Sequence, residues 1–353
     1  MEPAASTGRT RDCTTPMHEI VKSPLATREP STQDPPPEPR ALAIHEPWKN
    51  SPRQVQGLGL TNRCKIMGRK LFIASALLAI FSGFVLAPAH ASTVTADKAV
   101  FVTLGTRGGP IVVRDRSEPA NAVVVGNAVY LFDVGDGVQR QLALAGLPTE
   151  NVRAIFISHH HIDHNGGLAP LLITRWVLGA QRSIPVFGPP GTVSMVKGIF
   201  QAYRATELAP VAIGPRDTRL SATALPTDLP PQLDHPRVIF EDGNIRVLAI
   251  NNDHYHYPAG SQSGRVARSY SFRIEARGRT IVYTGDTGPS ARVTQLARGA
   301  DVLVSEVIDT ERMIKAMTDS SATPDPRMVG LIVHMEHDHL RPSEVARMGM
   351  PCE

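Results

Sequence analysis

His159, His161, Asp163 and His164 fall together in the stretch SHHHIDHNGG at 158–167. Imidazole and carboxylate groups at this density are ligands for a divalent cation, each offering a nitrogen or oxygen lone pair. Alternate residues of an extended segment point the same way, so His159 and His161 can grip one ion while His160 points away as a spacer. Asp163 and His164 follow the apolar spacer Ile162 and can turn to a second ion nearby. Gly166 and Gly167 let the backbone bend sharply into the next element. The three cysteines are Cys13, Cys64 and Cys352, so thiolate ligands are not expected. A nitrogen and oxygen donor set suits zinc and leaves iron and manganese open. In isolation, a histidine-rich surface loop with loose metal affinity would look the same, so the rest of the chain decides.

The order His-x-His-x-Asp-His after the apolar strand VRAIFISH (152–159) resembles the signature of the metallo-β-lactamase-fold hydrolases. That resemblance implies further residues in order. Asp133, in YLFDVGDG, matches an aspartate that supports the site without binding metal; a helix cap is its other reading, a role Asp136 could equally fill. His254, in INNDHYHYP (250–258), matches the third histidine of the first ion, with His256 as the alternative. Asp286, in IVYTGDTG (281–288), matches the aspartate that bridges both ions. The stretches TLGTRGGP (103–110), VFGPPGT (186–192) and HDHLRPSEVARMG (337–349) are most similar to the ribonuclease Z and arylsulfatase-like branch. In that branch a histidine of the closing segment acts on the leaving group and a glutamate orients it. His339 and Glu306 occupy those places, and with Asp163 they form the expected catalytic set. Ser305-Glu306-Val307 departs from the His-Glu-Ala-Thr stretch of ribonuclease Z, which weakens the tRNA reading.

The family continues past this segment into a strand ending in one more histidine, a ligand of the second ion. Here the chain ends in RMGMPCE, which does not continue an amphipathic pattern. The expectation is a truncated C-terminus, a missing last strand and a second site short of one ligand. His334 and His337 are candidate substitutes without a spacing argument.

The elements that position these residues alternate strand and helix. Strands are expected at 99–106, at 121–135 as a hairpin about Gly126-Asn127, at 152–159 and at 184–189. Helices are expected at 136–146, 166–179 and 191–205, followed by an irregular, proline-rich stretch at 206–236. A second half then offers strands RVIFED, IRVLAINN, SYSFRIEA and RTIVYTGD, a helix near 289–298 and the strand ADVLVSEV. The resemblance implies an α/β fold, the αββα four-layer sandwich.

Residues 1–66 hold ten of the thirty prolines and no lasting apolar period, which reads as a disordered extension and a mis-assigned start. Residues 67–91 carry Arg69 and Lys70, an apolar run at 71–86 and the small-residue pattern Ala-His-Ala, the parts of a secretory signal peptide. The hydrolase domain is then 92–353, periplasmic or secreted, and membrane-anchored only if the signal stays uncleaved. From residue 71 onward acidic and basic residues balance at 26 each. A neutral domain weighs against a nucleic-acid partner. A homodimer is compatible with the sequence.

In a two-metal site of this type a shared water loses a proton near neutral pH, and the hydroxide attacks phosphorus, sulfur or carbonyl carbon. The expected function is an exported zinc-dependent hydrolase of a small phosphodiester or sulfate ester. The alternative is a ribonuclease Z-type tRNA 3′ processing endonuclease; a lactone or β-lactam substrate is less favoured. A reading of another class is an inactive, metal-binding remnant of a disrupted frame.

Overall fold

The computed structural model describes residues 98–349, apart from 181, 210–217, 259 and 320–325. The chain divides into two units, Met1–Leu86 and Ala87–Glu353, and every described residue belongs to the second. The extension and signal segment expected over 1–66 and 67–91 lie outside the described residues, as do the last four residues of the chain.

Six strands form the first sheet in chain order: β1 (Ala99–Gly105), β2 (Ala120–Val125), β3 (Ala128–Val134), β4 (Val152–Phe156), β5 (Ile184–Gly188) and β6 (Ala224–Asp228). The first three run antiparallel, and β3 to β6 are parallel. The second sheet takes β7 (Arg237–Glu241), β8 (Ile245–Asn251), β9 (Tyr270–Ala276), β10 (Arg279–Tyr283) and β11 (Val302–Val304), in the order β11-β10-β9-β8-β7. Only β10 and β11 pair in parallel there.

Every residue of β2 and β3 is buried. Such strands are covered on both faces and read as unbroken apolar runs. Alternation decides which side chain goes where. Tyr130, Phe132 and Phe156 join Val247, Phe272 and Ile281 in a core between the sheets. Phe132 and Phe156 stack there, with ring centroids 4.8 Å apart. Val129, Leu131 and Ile155 face the other way, into a second core with Leu142, Leu171 and Val196.

The helices cover the outer faces. On the first sheet these are α1 (Val138–Leu144), α2 (Ile162–Asn165), α3 (Leu168–Val177) and α4 (Thr192–Ala202), followed by α5 (Arg204–Leu208). In the second half come α6 (Gln262–Val266), α7 (Ala291–Ala297), α8 (Thr310–Asp319), α9 (Pro326–His337) and α10 (Pro342–Gly349). Leu296 of α7 packs on Ile250 and Val282, the outer face of the second sheet. Two sheets with helices outside both faces are the expected four-layer arrangement.

Three expectations are corrected. β6 lies within 206–236, read as irregular. It is the edge strand of its sheet and contains Pro226, which an edge tolerates because no ladder bond is lost on the open side. The closing strand read over ADVLVSEV is only Val302–Val304. It forms the other sheet's edge; the last strand, expected to be missing, would follow residue 349 and lies outside the described residues. Helices α8 and α9 were not foreseen.

Candidate metal centre

The site residues gather where strands end. Asp133 is at the end of β3, the histidine stretch follows β4, His254 follows β8, Asp286 follows β10 and Glu306 follows β11. His339 comes from the turn between α9 and α10. A glycine makes one of these turns possible: Gly285 has φ of 58°, and a Cβ there would stand 2.8 Å from the Ser158 side chain.

Hydrogen bonds assign the ring nitrogens. Asp133 is fully buried in a left-handed conformation (φ 58°), which costs a non-glycine residue and is held by its contacts. Its Oδ1 accepts from the Ser158 N–H at 2.7 Å. Its Oδ2 accepts from Ser158 Oγ at 2.7 Å, Tyr283 OH at 2.6 Å and His164 Nδ1 at 2.7 Å. A carboxylate accepts only, so His164 carries its proton on Nδ1 and its lone pair on Nε2. Ser158 Oγ spends its proton on Asp133 and accepts from His159 Nδ1 at 3.0 Å. His254 Nδ1 donates to the Asp338 carbonyl oxygen at 2.9 Å. In each case Nε2 is left with the lone pair, the second-sphere arrangement that orients metal-binding histidines.

One ligand atom each from His159, His161 and His254 lies within 4.8 Å of the others, and the same holds for His159, His164 and Asp286. Asp286 Oδ2 stands 3.3 Å from His164 Nε2 and 4.0 Å from His159 Nε2. It therefore lies between the two groups, where the bridging aspartate was expected. Asp163 Oδ2 is 3.7 Å from His164 Nε2 and accepts from the Gly109 N–H at 2.7 Å. The Nε2 atoms of His159 and His164 are buried without a hydrogen-bond partner among the described residues. Orphaned buried acceptors facing a carboxylate are costly unless a cation joins them. The donor set and its orphaned nitrogens thus fit a divalent ion.

The electrostatics point the same way. Burial lowers the pKa values of His159, His161 and His254, the last to about 3, which keeps them in the neutral form that binds metal. Burial also opposes a charge on His164, but Asp286 and Asp133 outweigh it and raise its pKa well above the usual value. The pocket between these carboxylates demands a positive charge, which a proton or a metal ion can supply.

His339 Nδ1 donates to Glu306 Oε2 at 2.9 Å, and Glu306 Oε1 accepts from the Thr287 N–H at 2.8 Å. His339 Nδ1 is 3.9 Å from Asp286 Oδ2, so the pair borders the metal ligands. Burial would lower the His339 pKa, but Glu306 lifts it above the usual value. His160 turns away, its Nε2 3.3 Å from the Pro189 carbonyl oxygen. His256, the alternative to His254, is exposed and reaches Asp338 from outside the cluster. Asp133 does not cap α1, whose cap is Gly137.

Asp338 was missed. It fixes His254 through its carbonyl oxygen and His334 through its carboxylate at 2.5 Å. The i, i+4 spacing of His334 and Asp338 on a helix was the available signal. His334 does not replace the ligand expected to be missing at the second ion. Its ring packs against His161, His254 and His339, on the first ion's side. His337 is exposed.

Residues 129–348 match the family model described as Beta-lactamase superfamily domain. The chain belongs to this superfamily. It is 32% identical over 212 residues to the curated protein Ribonuclease Z of Mycolicibacterium paratuberculosis, across 59% of this chain and 70% of that one. Among solved structures it is similar to human tRNase Z, short form, with 23% identity, coverage of 71% of this chain and 87% of that one, and a TM-score of 0.47. It is also similar to the metallo-beta-lactamase fold protein YhfI of Bacillus subtilis, at 19% identity, 59% and 71% coverage and a TM-score of 0.44.

As a member of the superfamily, the chain is a metal-dependent hydrolase. The relatives correct one expectation. A neutral domain was taken to weigh against a nucleic-acid partner, yet the curated relatives carry the name of a ribonuclease. Charge summed over a domain is blind to where the charges sit, and a local face can still meet a phosphate backbone.

Proposed function

We propose that this hydrolase cleaves a phosphodiester bond of RNA and that zinc is its metal. The observation that carries this reading is the Glu306–His339 pair beside Asp286, with His339 Nδ1 committed to the carboxylate. The name shared by the curated relatives supports RNA over a sulfate ester.

His159, His161 and His254 would hold one ion, and Asp163 and His164 a second, with Asp286 between them. Divalent ions held there supply Lewis acidity and activate water for attack at phosphorus. The protein's own part is positioning and proton transfer. Glu306, pinned by the Thr287 N–H, fixes the His339 ring and stabilises its charged form. His339 donates a proton to the leaving oxygen through Nε2. The Gly109 N–H holds the Asp163 carboxylate at the cluster.

The test loads the purified chain with zinc and offers three substrates: a precursor tRNA with a 3′ extension, bis-p-nitrophenyl phosphate and p-nitrophenyl sulfate. RNA cleavage that a chelator abolishes and zinc restores is expected, with His161→Ala inactive. Sulfate-ester hydrolysis without RNA cleavage overturns the reading.

A further inference from the structure

His334 has no task in this hydrolytic scheme, yet it sits inside the imidazole cluster. Its ring centroid is 5.1 Å from His339 and 5.3 Å from His254. Its Nδ1 meets Asp338 Oδ2 at 2.5 Å. The carboxylate can only accept, so the lone pair of His334 is on Nε2. Glu306 holds His339 in the same way at 2.9 Å. Two carboxylate-backed imidazoles therefore stand side by side, each oriented as metal-binding histidines are. Ligand atoms of His254, His334 and His339 all lie within 4.8 Å of one another.

We propose that His334 and His339 form a further divalent-cation site at the border of the hydrolytic centre, and that an ion there takes His339 away from the substrate. His254 can contribute only one nitrogen, because its Nδ1 is bound to the Asp338 carbonyl oxygen. With that nitrogen given to the group of His159 and His161, the further site keeps two imidazoles and is completed by water. Two protein ligands are fewer than the three of a catalytic zinc site. The site therefore fills after the hydrolytic ions, and only when the cation is in excess. Imidazole donors select a borderline cation, zinc foremost, over magnesium or calcium. Excess zinc then inhibits the enzyme at a position distinct from the one that activates it. The inhibitory consequence rests on His339 acting as proton donor; the binding of the ion does not.

The experiment titrates zinc into the chelator-stripped full chain by calorimetry and follows cleavage of the precursor tRNA, whose leaving oxygen needs the His339 proton, over the same zinc range. The wild-type chain should show a tight phase and a weaker one, with the rate falling as the weaker phase fills. His334→Ala should abolish the weaker phase and the inhibition while keeping the tight phase. Asp338→Ala should weaken the second phase about ten- to a hundredfold, and it reads the same phase if His334→Ala does not fold. A single phase in the wild-type chain, or a weaker phase that persists in both variants, overturns the site. Loss of the weaker phase without relief of inhibition overturns the inhibitory role. The calorimetric phases are read whether or not RNA is the substrate, so failure of the proposed function is told apart from failure of the site.

Discussion

His164 Nδ1 donates to Asp133 Oδ2 at 2.7 Å, with both side chains removed from water. The same carboxylate also accepts from Ser158 and Tyr283, so one buried aspartate ties β3, the histidine stretch after β4 and the end of β10 together. This turns His164 Nε2 toward Asp286 before any ion arrives.

Asp133→Ala should therefore act on metal and on stability at once. The affinity of the ion held by His164 should fall about ten- to a hundredfold. Removing one partner of a buried ion pair should cost about 3 kcal/mol of stability. Metal titration and urea unfolding read the two effects. An unchanged metal affinity would show that His164 is oriented by something else.

Gly109 makes a second, less visible support. A Cβ there would stand 2.2 Å from Asp163 Cβ, a distance no side chain accommodates. Gly109→Ala should push Asp163 off the cluster while leaving the first-ion histidines in place. The rate should fall about a hundredfold, the scale of a displacement near 1 Å in an active site. Metal analysis should show partial loss, with the ion of His159, His161 and His254 retained. Full activity in Gly109→Ala would place Asp163 outside the site.

The residues that were legible share a setting. Asp133, His159, His254 and Asp286 each sit at or just past the end of a buried strand, where an apolar run gives way abruptly to polar groups. The closing residues of these strands are buried and mostly apolar, so the change to polar groups beyond them is visible in a sequence. The place of His334 at the first ion's side and the role of Asp338, just past α9, were not legible because α9 is exposed on much of its described length and carries no comparable break. Their relation to His254 is made by tertiary contact alone. β6 was hidden by its prolines, which only its place at a sheet edge explains. The partner was misread for a different reason: a net balance of charge has no spatial content.

The segment 67–91 bears on where the substrate is met. If this segment acts as a secretory signal, protein recovered from the periplasm or medium begins at Ser92 on N-terminal sequencing, and the RNA cleaved is then one met outside the cytoplasm. An intact residue 1 in cytoplasmic protein defeats the export reading and returns the enzyme to the compartment of precursor tRNA.

The role of His339 is tested by the leaving group. A proton donor matters most when the departing oxygen is a poor leaving group. The ribose oxygen of RNA leaves as a strongly basic alkoxide unless protonated, whereas p-nitrophenolate leaves unaided. His339→Ala should lower kcat on RNA by about a hundredfold or more. On bis-p-nitrophenyl phosphate the loss should be far smaller, and KM should change little on either. Burial and the nearby Asp286 raise the Glu306 pKa to about 7, so its charge supports protonated His339 near and above that pH. Glu306→Gln removes this support, which lifts the His339 pKa against the effect of burial. The group is raised by its partner, so its acid form persists to higher pH when Glu306 is present and is lost at lower pH without it. The alkaline limb of kcat against pH on RNA should accordingly shift down in Glu306→Gln and vanish in His339→Ala. Equal losses on both substrates would instead assign His339 to binding the phosphate, because departure of the oxygen would then not be what it assists.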